Sequence, residues 1–242
     1  MPMQAVILAG GLGTRLRSIV NDRPKPMALV NGKPFLEYQL NYLKAQNVRR
    51  ILILCGHMAD LIQEYFGDGR RVGLEISYAV EKDLKGTGGA ILNAANMIDQ
   101  TFLLLNGDTF VSFNLDDLRK FHNAKKADIT MLAMQDKKRD NRYGTMVIDM
   151  NHRIVEFFEK ESPLGKDLFI SCGVYIINKT VFNNVSIDTF SLERDFLAKS
   201  TNLLMYAYVF KGSFIDIGTP KSYQEFIKMV EDMDGSGEMA LK

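Results

Sequence analysis

Gly10, Gly11 and Gly13 follow directly on a short apolar run, Gln4 to Leu8, and lead through Thr14, Arg15 and Leu16 to Arg23-Pro24-Lys25-Pro26-Met27. Glycines let a chain turn tightly and present successive N–H groups with no Cβ in the way, an arrangement suited to polyphosphate oxygens. Arg15 and Lys25 add fixed positive charge to the same stretch. The chemistry this proposes is the binding of a nucleoside triphosphate. Two commoner phosphate motifs fail on spacing. A dinucleotide fingerprint begun at Gly11 meets Gly13 and then Leu16 where its third glycine should stand, and no Gly-Lys-Ser/Thr ending makes a mononucleotide loop.

Two carboxylates are placed to join that chemistry. Asp108 follows the apolar run Thr101 to Leu105 through Asn106-Gly107, past the carboxyl end of a strand, where open α/β sheets collect ligands. A turn aspartate capping the segment Val111 to Leu118 is an equally good reading of it. Asp216 stands between Ile215 and Ile217, where an unpaired charge is costly and a metal ion is one way to satisfy it. His57, His122 and His152 are scattered without zinc spacing and read as surface or packing residues.

The elements that must position these groups alternate. A strand at Gln4 to Leu8 is followed by an amphipathic helix at Phe35 to Gln46, a buried strand at Arg50 to Cys55 and a helix at Ala59 to Phe66. A strand at Glu75 to Val80, a helix at Ala90 to Met97 and a strand at Thr101 to Leu105 continue the pattern, which predicts a mainly parallel sheet under crossover helices. The second half is strand-rich, with Ile129 to Met134, Thr145 to Ile148, Ile154 to Glu159, Ile170 to Ile177 and Leu203 to Val209. Helices are predicted at Leu192 to Ala198 and at Pro220 to Asp232, where Pro220 suits the first turn.

A chain of 242 residues, 46% hydrophobic, fits one α/β domain over 1–232 with a loose tail over 233–242, where Gly235-Ser236-Gly237 stands. Its 30 basic and 29 acidic residues leave a net charge of +1, too little for a bulk field that would draw in nucleic acid or an anionic membrane. No apolar run approaches about 18 residues and the N-terminus lacks the features of a secretory signal, so a cytoplasmic location is expected. Cys55 and Cys172 form neither a disulfide framework nor a metal knuckle and read as buried thiols.

The run GGLGTRL followed by RPKPM resembles the signature of the sugar nucleotidyltransferases, which join a sugar 1-phosphate to a nucleoside triphosphate and release pyrophosphate. The likeness extends over nearly the whole chain, roughly Met3 to Asp232, with its markers in the family's order. It implies a Rossmann-like, GT-A type fold, a mostly parallel sheet covered by helices with a smaller β-rich sugar-binding part. Carried over by position, Leu8, Gly10, Gly11, Gly13, Glu81, Gly86 and Thr87 would face the nucleotide. Arg15 would grip the leaving pyrophosphate, Lys25 would neutralise the α-phosphate, and Asp108 and Asp216 would hold Mg²⁺. Gly144, Glu159, Lys160 and Gly173 match sugar-facing and sugar-phosphate positions, although each alone reads as a surface charge or turn glycine. One departure stands out: Leu16 is followed by Arg17-Ser18, where members using thymidine or uridine nucleotides usually carry proline and threonine.

Base and sugar follow from finer features. Those same members have glutamine five residues before the glycine matching Gly86, and here the residue is Glu81. An ionised carboxylate only accepts, which suits the two adjacent donors on the Watson–Crick edge of guanine; backbone reading of the base, with Glu81 solvated, is the alternative. The wording VEKDLKGTGGAILNA, SLERDFL and FIDIGTPKSY is most similar to guanylyltransferases for D-glycero-α-D-manno-heptose 1-phosphate. The resemblance therefore implies GTP and a heptose 1-phosphate as partners, no nucleic acid or membrane, and a use in surface polysaccharide assembly, with a homo-oligomer left open. Mannose 1-phosphate is the close rival, and uridylyl transfer to another sugar phosphate the third. A glycosyltransferase would usually show Asp-x-Asp where this chain has Asn106-Gly107-Asp108, and a non-catalytic sugar-nucleotide sensor would not need Arg15, Lys25, Asp108 and Asp216 together.

Overall fold

The computed structural model describes residues 2–16, 19–136, 141–161, 163 and 167–235. In chain order its elements are β1 (Ala5–Leu8), β2 (Leu29–Val30), β3 (Lys33–Pro34), α1 (Phe35–Ala45), β4 (Arg50–Cys55), α2 (Ala59–Phe66), β5 (Glu75–Val80), α3 (Gly86–Asn93) and β6 (Thr101–Asn106). There follow β7 (Thr109–Val111), α4 (Leu115–Lys125), β8 (Ile129–Gln135), β9 (Gly144–Ile148), β10 (Ile154–Glu159), β11 (Phe169–Asn178), β12 (Met205–Val209), β13 (Phe214–Asp216) and α5 (Pro220–Gly235). Arg17 and Ser18, and the part of the expected tail beyond Gly235, lie outside the described residues.

The chain divides into two compact units. The first takes the N-terminal part to Leu84, Leu105–Ser112 and the chain from Ser213 on. Here β1, β4 and β5 pair in parallel, with Ala5 opposite Ile51 and Arg50 opposite Glu75. Every β4 side chain from Ile51 to Cys55 is buried, as expected of a strand in a parallel sheet covered on both faces. Helix α1 buries Phe35, Leu36, Leu40 and Leu43 at helical spacing, together with one polar residue, Gln39.

The antiparallel pair β7 and β13 was not expected, because three-residue strands carry too little alternation to be read. Its core support is aromatic. Phe226 of α5 is fully buried, with ring centroids 4.8 Å from Phe35, 5.5 Å from Phe110 and 5.7 Å from Tyr38. The Tyr223 hydroxyl donates to the carbonyl of Leu29 and ties the same helix to β2.

The second unit, Lys85–Leu104 with Phe113–Gly212, is β-rich. Strand β11 pairs antiparallel with β8 and β9, β10 with β9, and β12 runs parallel to β8. A bulge interrupts β11 between Ser171 and Tyr175. Helix α4 is capped by Asn114, whose side chain accepts from the Asp117 N–H at 3.0 Å, so the capping reading of Asp108 is corrected. The helix expected at Ala90 to Met97 instead begins at Gly86, with a separate tight turn at Ala95–Met97. Residues Leu192–Phe196 form a wide helical turn followed by a tight one over Leu197–Lys199.

Both cysteines are buried; desolvation pushes the Cys55 thiol up to about 12 and raises that of Cys172 further. His122 is buried with its ring against the Thr130 hydroxyl at 2.8 Å, a packing role. Among the described residues no helix is long and apolar enough to cross a membrane.

Phe226→Ala removes the ring that β7, α1 and α5 share. The expected cost is about 3–5 kcal/mol in urea-denaturation stability, against about 1–2 kcal/mol for Phe226→Leu. Equal stability of the alanine variant and the parent would show that the aromatic cluster is not what holds β7 in place.

Candidate active site

The glycine loop extends from β1, and the Ala9 N–H still reaches Leu54 O at 2.8 Å, so the sheet ladder runs to its first residue. Gly10 passes Gly56 so closely that a Cβ on it would lie 3.3 Å from the Gly56 nitrogen; Gly11 faces open space. Gly13 has φ +61° and lies under the Lys25 side chain. Arg15 is exposed on a single tight turn, Thr14–Leu16, which is anchored by the buried Leu16 and by the Leu16 N–H to Gly13 O at 3.0 Å. Lys25 opens another tight turn, Lys25–Met27, set by Pro24 and Pro26.

Asp108 is brought to this loop by the residue before it. The Gly107 N–H donates to Leu8 O at 2.9 Å, and a Cβ at position 107 would lie 2.7 Å from that oxygen, so only glycine allows the turn to lean on the end of β1. Lys25 Nζ then sits 2.5 Å from Asp108 Oδ2, and Thr109 Oγ1 donates to Asp108 Oδ1 at 3.1 Å. Burial pushes the Asp108 carboxyl up, but the Lys25 charge, with the hydrogen bonds from Lys25 and Thr109 and the charge of Arg15, outweighs it and holds the group below its ordinary value. Asp108 is therefore ionised at neutral pH.

Asp216 lies on β13 opposite Thr109, and the Ile217 N–H donates to Asp108 O at 2.9 Å. The Asp216 side chain is buried and accepts from the Gly218 N–H. Asp108, on the turn before β7, and Asp216, on β13, are thus linked through their backbones in the first unit. Among the described residues no group of three or more His, Cys, Asp and Glu converges. The donor set fits a hard cation that takes one or two carboxylates and completes its shell with phosphate oxygens and water.

The second unit gathers the other expected residues. Glu159 is paired with Gly144 across β10 and β9, and a Cβ on Gly144 would meet the Phe157 ring at 2.6 Å and Glu159 Oε2 at 3.3 Å. Lys160, exposed with φ +57°, pairs with Glu159 at 3.3 Å. Burial raises the Glu159 pKa, and repulsion from Glu193 adds to it, against the opposing charges of Lys160 and Arg194. Gly173, φ +67°, lies within the β11 bulge, where that conformation is required.

The segment expected to read the base is divided. Glu81 belongs to the first unit, where its N–H continues the ladder to Cys55 O at 2.9 Å, while Gly86 and Thr87 start α3 in the second. The Thr87 hydroxyl accepts from the Leu192 N–H and donates to Glu193, both at 2.8 Å. Gly88 and Gly89 leave no room for a Cβ against Phe190 and Asp188, which shows what part of this glycine run does in the fold.

Sequence reasoning passed over Gln39, Glu193 and Tyr175. Gln39 reads as one more position of an amphipathic helix, yet its amide reaches the turn that carries Asp108. Glu193 is central to the Glu159 environment but had no motif beyond SLERDFL. The hydroxyl of the buried Tyr175 accepts from Ser171 at 3.1 Å across the bulge, a contact no linear pattern announces.

Over 226 residues the chain is 38% identical to the D-glycero-alpha-D-manno-heptose 1-phosphate guanylyltransferase of Campylobacter jejuni, covering 93% of this chain and 99% of that protein. Over 232 residues it is 39% identical to the enzyme of the same name from Aneurinibacillus thermoaerophilus, covering 95% and 99%. The crystal structure of HddC from Yersinia pseudotuberculosis complexed with GMP-PN superposes with a TM-score of 0.80 at 35% identity, covering 94% of this chain and 99% of that one. The Rossmann-like fold expected from the resemblance is therefore the fold observed. Residues 4–233 match the model of the nucleotidyl transferase family, and the chain belongs to that family.

Proposed function

We propose that the protein transfers GMP from GTP to D-glycero-α-D-manno-heptose 1-phosphate, forming GDP-heptose and releasing pyrophosphate. The observation that carries this reading is 38% and 39% identity to two enzymes of that name over more than nine-tenths of the chain, with the family match over residues 4–233 spanning all the expected site residues. The pairing of Lys25 with Asp108 beside the glycine loop supports it physically.

The reaction needs no protein nucleophile. A phosphate oxygen of the sugar phosphate attacks the α-phosphorus of GTP, the bond from that phosphorus to the β-phosphate bridging oxygen breaks, and pyrophosphate leaves with the electron pair. The obstacle is repulsion between two anions, so catalysis consists of placing positive charge and fixing the line of attack. Lys25 is held by Asp108 and serves the α-phosphate, and Arg15, on the adjoining turn, serves the departing pyrophosphate. Lys160 and Glu159 would take the sugar phosphate and a sugar hydroxyl, and the Gly144 backbone another. Asp108 and Asp216 would hold Mg²⁺, which when bound neutralises phosphate charge and orients both reactants. Both substrates are intracellular metabolites, which supports a cytoplasmic location.

Pyrophosphate release measured with GTP, ATP, CTP and UTP against heptose, mannose and glucose 1-phosphates should give the highest kcat/KM for GTP with heptose. The margin over mannose should be about tenfold or more, the scale of discrimination available from one extra group. Equal or better use of mannose would overturn the sugar assignment, and no release with any pair would overturn the reaction. Asp108→Ala and Asp216→Ala should each lower kcat by at least about a hundredfold with an unchanged circular dichroism spectrum. A folded variant that keeps most of its turnover removes that residue from the metal role. Glu81→Gln should raise kcat/KM for UTP relative to GTP, because an amide can both accept and donate; an unaltered nucleotide preference would show that Glu81 does not read the base.

A further inference from the structure

Gln39 is a polar residue in the middle of the buried face of α1, with 3% of its surface exposed. Its Nε2 donates to Asn106 O at 2.8 Å and to Thr109 O at 2.5 Å, the carbonyls on either side of Gly107 and Asp108. Its Oε1 is buried with no hydrogen-bond partner. That orientation is forced, because the flipped amide would place Oε1 against two carbonyl oxygens. A buried amide that leaves one acceptor unsatisfied is a poor way to fill a core position and a good way to hold two carbonyls.

The carbonyl of Asp108 itself accepts from the Ile217 N–H, and the Gly107 N–H is spent on Leu8 O. The carbonyls of Asn106, Asp108 and Thr109 are thus all engaged by protein donors. Two of these bonds come from one buried side chain, so the backbone on both sides of Gly107-Asp108 is fixed to α1. With these three held, the direction in which the Asp108 side chain leaves the turn is set.

We infer that Gln39 is a positioning residue: by holding the carbonyls that flank Asp108 it fixes the turn from which the Asp108 carboxylate reaches the metal and triphosphate. The inference rests on the proposed metal role of Asp108. It is tested with Gln39→Met, which keeps the volume and removes the donors, and with Gln39→Asn, whose amide is one methylene too short to span both carbonyls. Mn²⁺ binding is followed by calorimetry in the presence of a non-hydrolysable GTP analogue, alongside kcat, KM for the sugar phosphate and circular dichroism. Both variants should fold, weaken Mn²⁺ by about tenfold and lower kcat by a similar factor, with KM for the sugar phosphate within about twofold of the parent. Metal affinity and kcat within twofold of the parent would overturn the inference, and so would loss of fold in both variants, which would make Gln39 a purely structural residue. Asp108→Asn is the control that separates the two readings. If it leaves Mn²⁺ binding unchanged, the metal role of Asp108 fails, and Gln39 as its positioning residue falls with it whatever its own variants do; if it abolishes binding, the Gln39 variants decide alone.

Discussion

The contact between Lys25 and Asp108 is the constraint around which the first unit is arranged. An ammonium and a carboxylate lie 2.5 Å apart, with 9% of the lysine side chain and 30% of the aspartate side chain exposed, so removing either partner leaves the other charge partly desolvated and uncompensated. Every nearby sequence choice serves that contact. The prolines flanking Lys25 fix the turn from which it reaches, Gly107 lets the Asp108 turn rest on β1, and Thr109 satisfies the second carboxylate oxygen. The result is a site whose charges are in place before any substrate arrives, which is the condition under which electrostatics lowers a barrier without reorganisation.

Such a contact needs a rigid frame, and the frame is apolar. Strands β7 and β13 are too short to be stable by themselves, so the position of Asp216 depends on what lies beneath them. The cluster of Phe35, Phe110 and Phe226, with Tyr38 at its edge, supplies that support by joining α1, β7 and α5. Gln39 projects from the same helix that contributes Phe35, so one element both packs the frame and holds the carbonyls of the Asp108 turn. Packing and polar positioning are here two duties of one helical face.

What the sequence made legible follows from the range of the interactions involved. Helix α2 and strands β4, β5 and β10 fall where the hydrophobic pattern places them, because burial of each element writes its period into adjacent residues. The start of α3 was misplaced because Gly86, Gly88 and Gly89 look like loop residues, whereas their small size is demanded by Asp188 and Phe190, about a hundred residues away. The place of Asp108 past the end of a buried strand was legible from the hydrophobic run before it. The direct pairing of Lys25 with Asp108 across 83 residues was not, nor was the part played by Gln39, since a glutamine on a helix carries no local sign of which distant carbonyl it will meet.

The two units use one set of physical effects to opposite ends. Burial acts on both Asp108 and Glu159, and in each case it favours the neutral acid. At Asp108 it is overruled by the charge and hydrogen bond of Lys25, with help from Thr109 and Arg15, and the carboxyl is held low. At Glu159 a second carboxylate, Glu193, sides with desolvation, and Lys160 and Arg194 only moderate the rise. Glu159 lies against the bare backbone of Gly144 while it pairs with Lys160, so its carboxylate is held between a cation and a strand position with no side chain. The charge environments therefore keep one acid low beside cations and raise the other beside a second carboxylate, a difference that burial, common to both, does not produce.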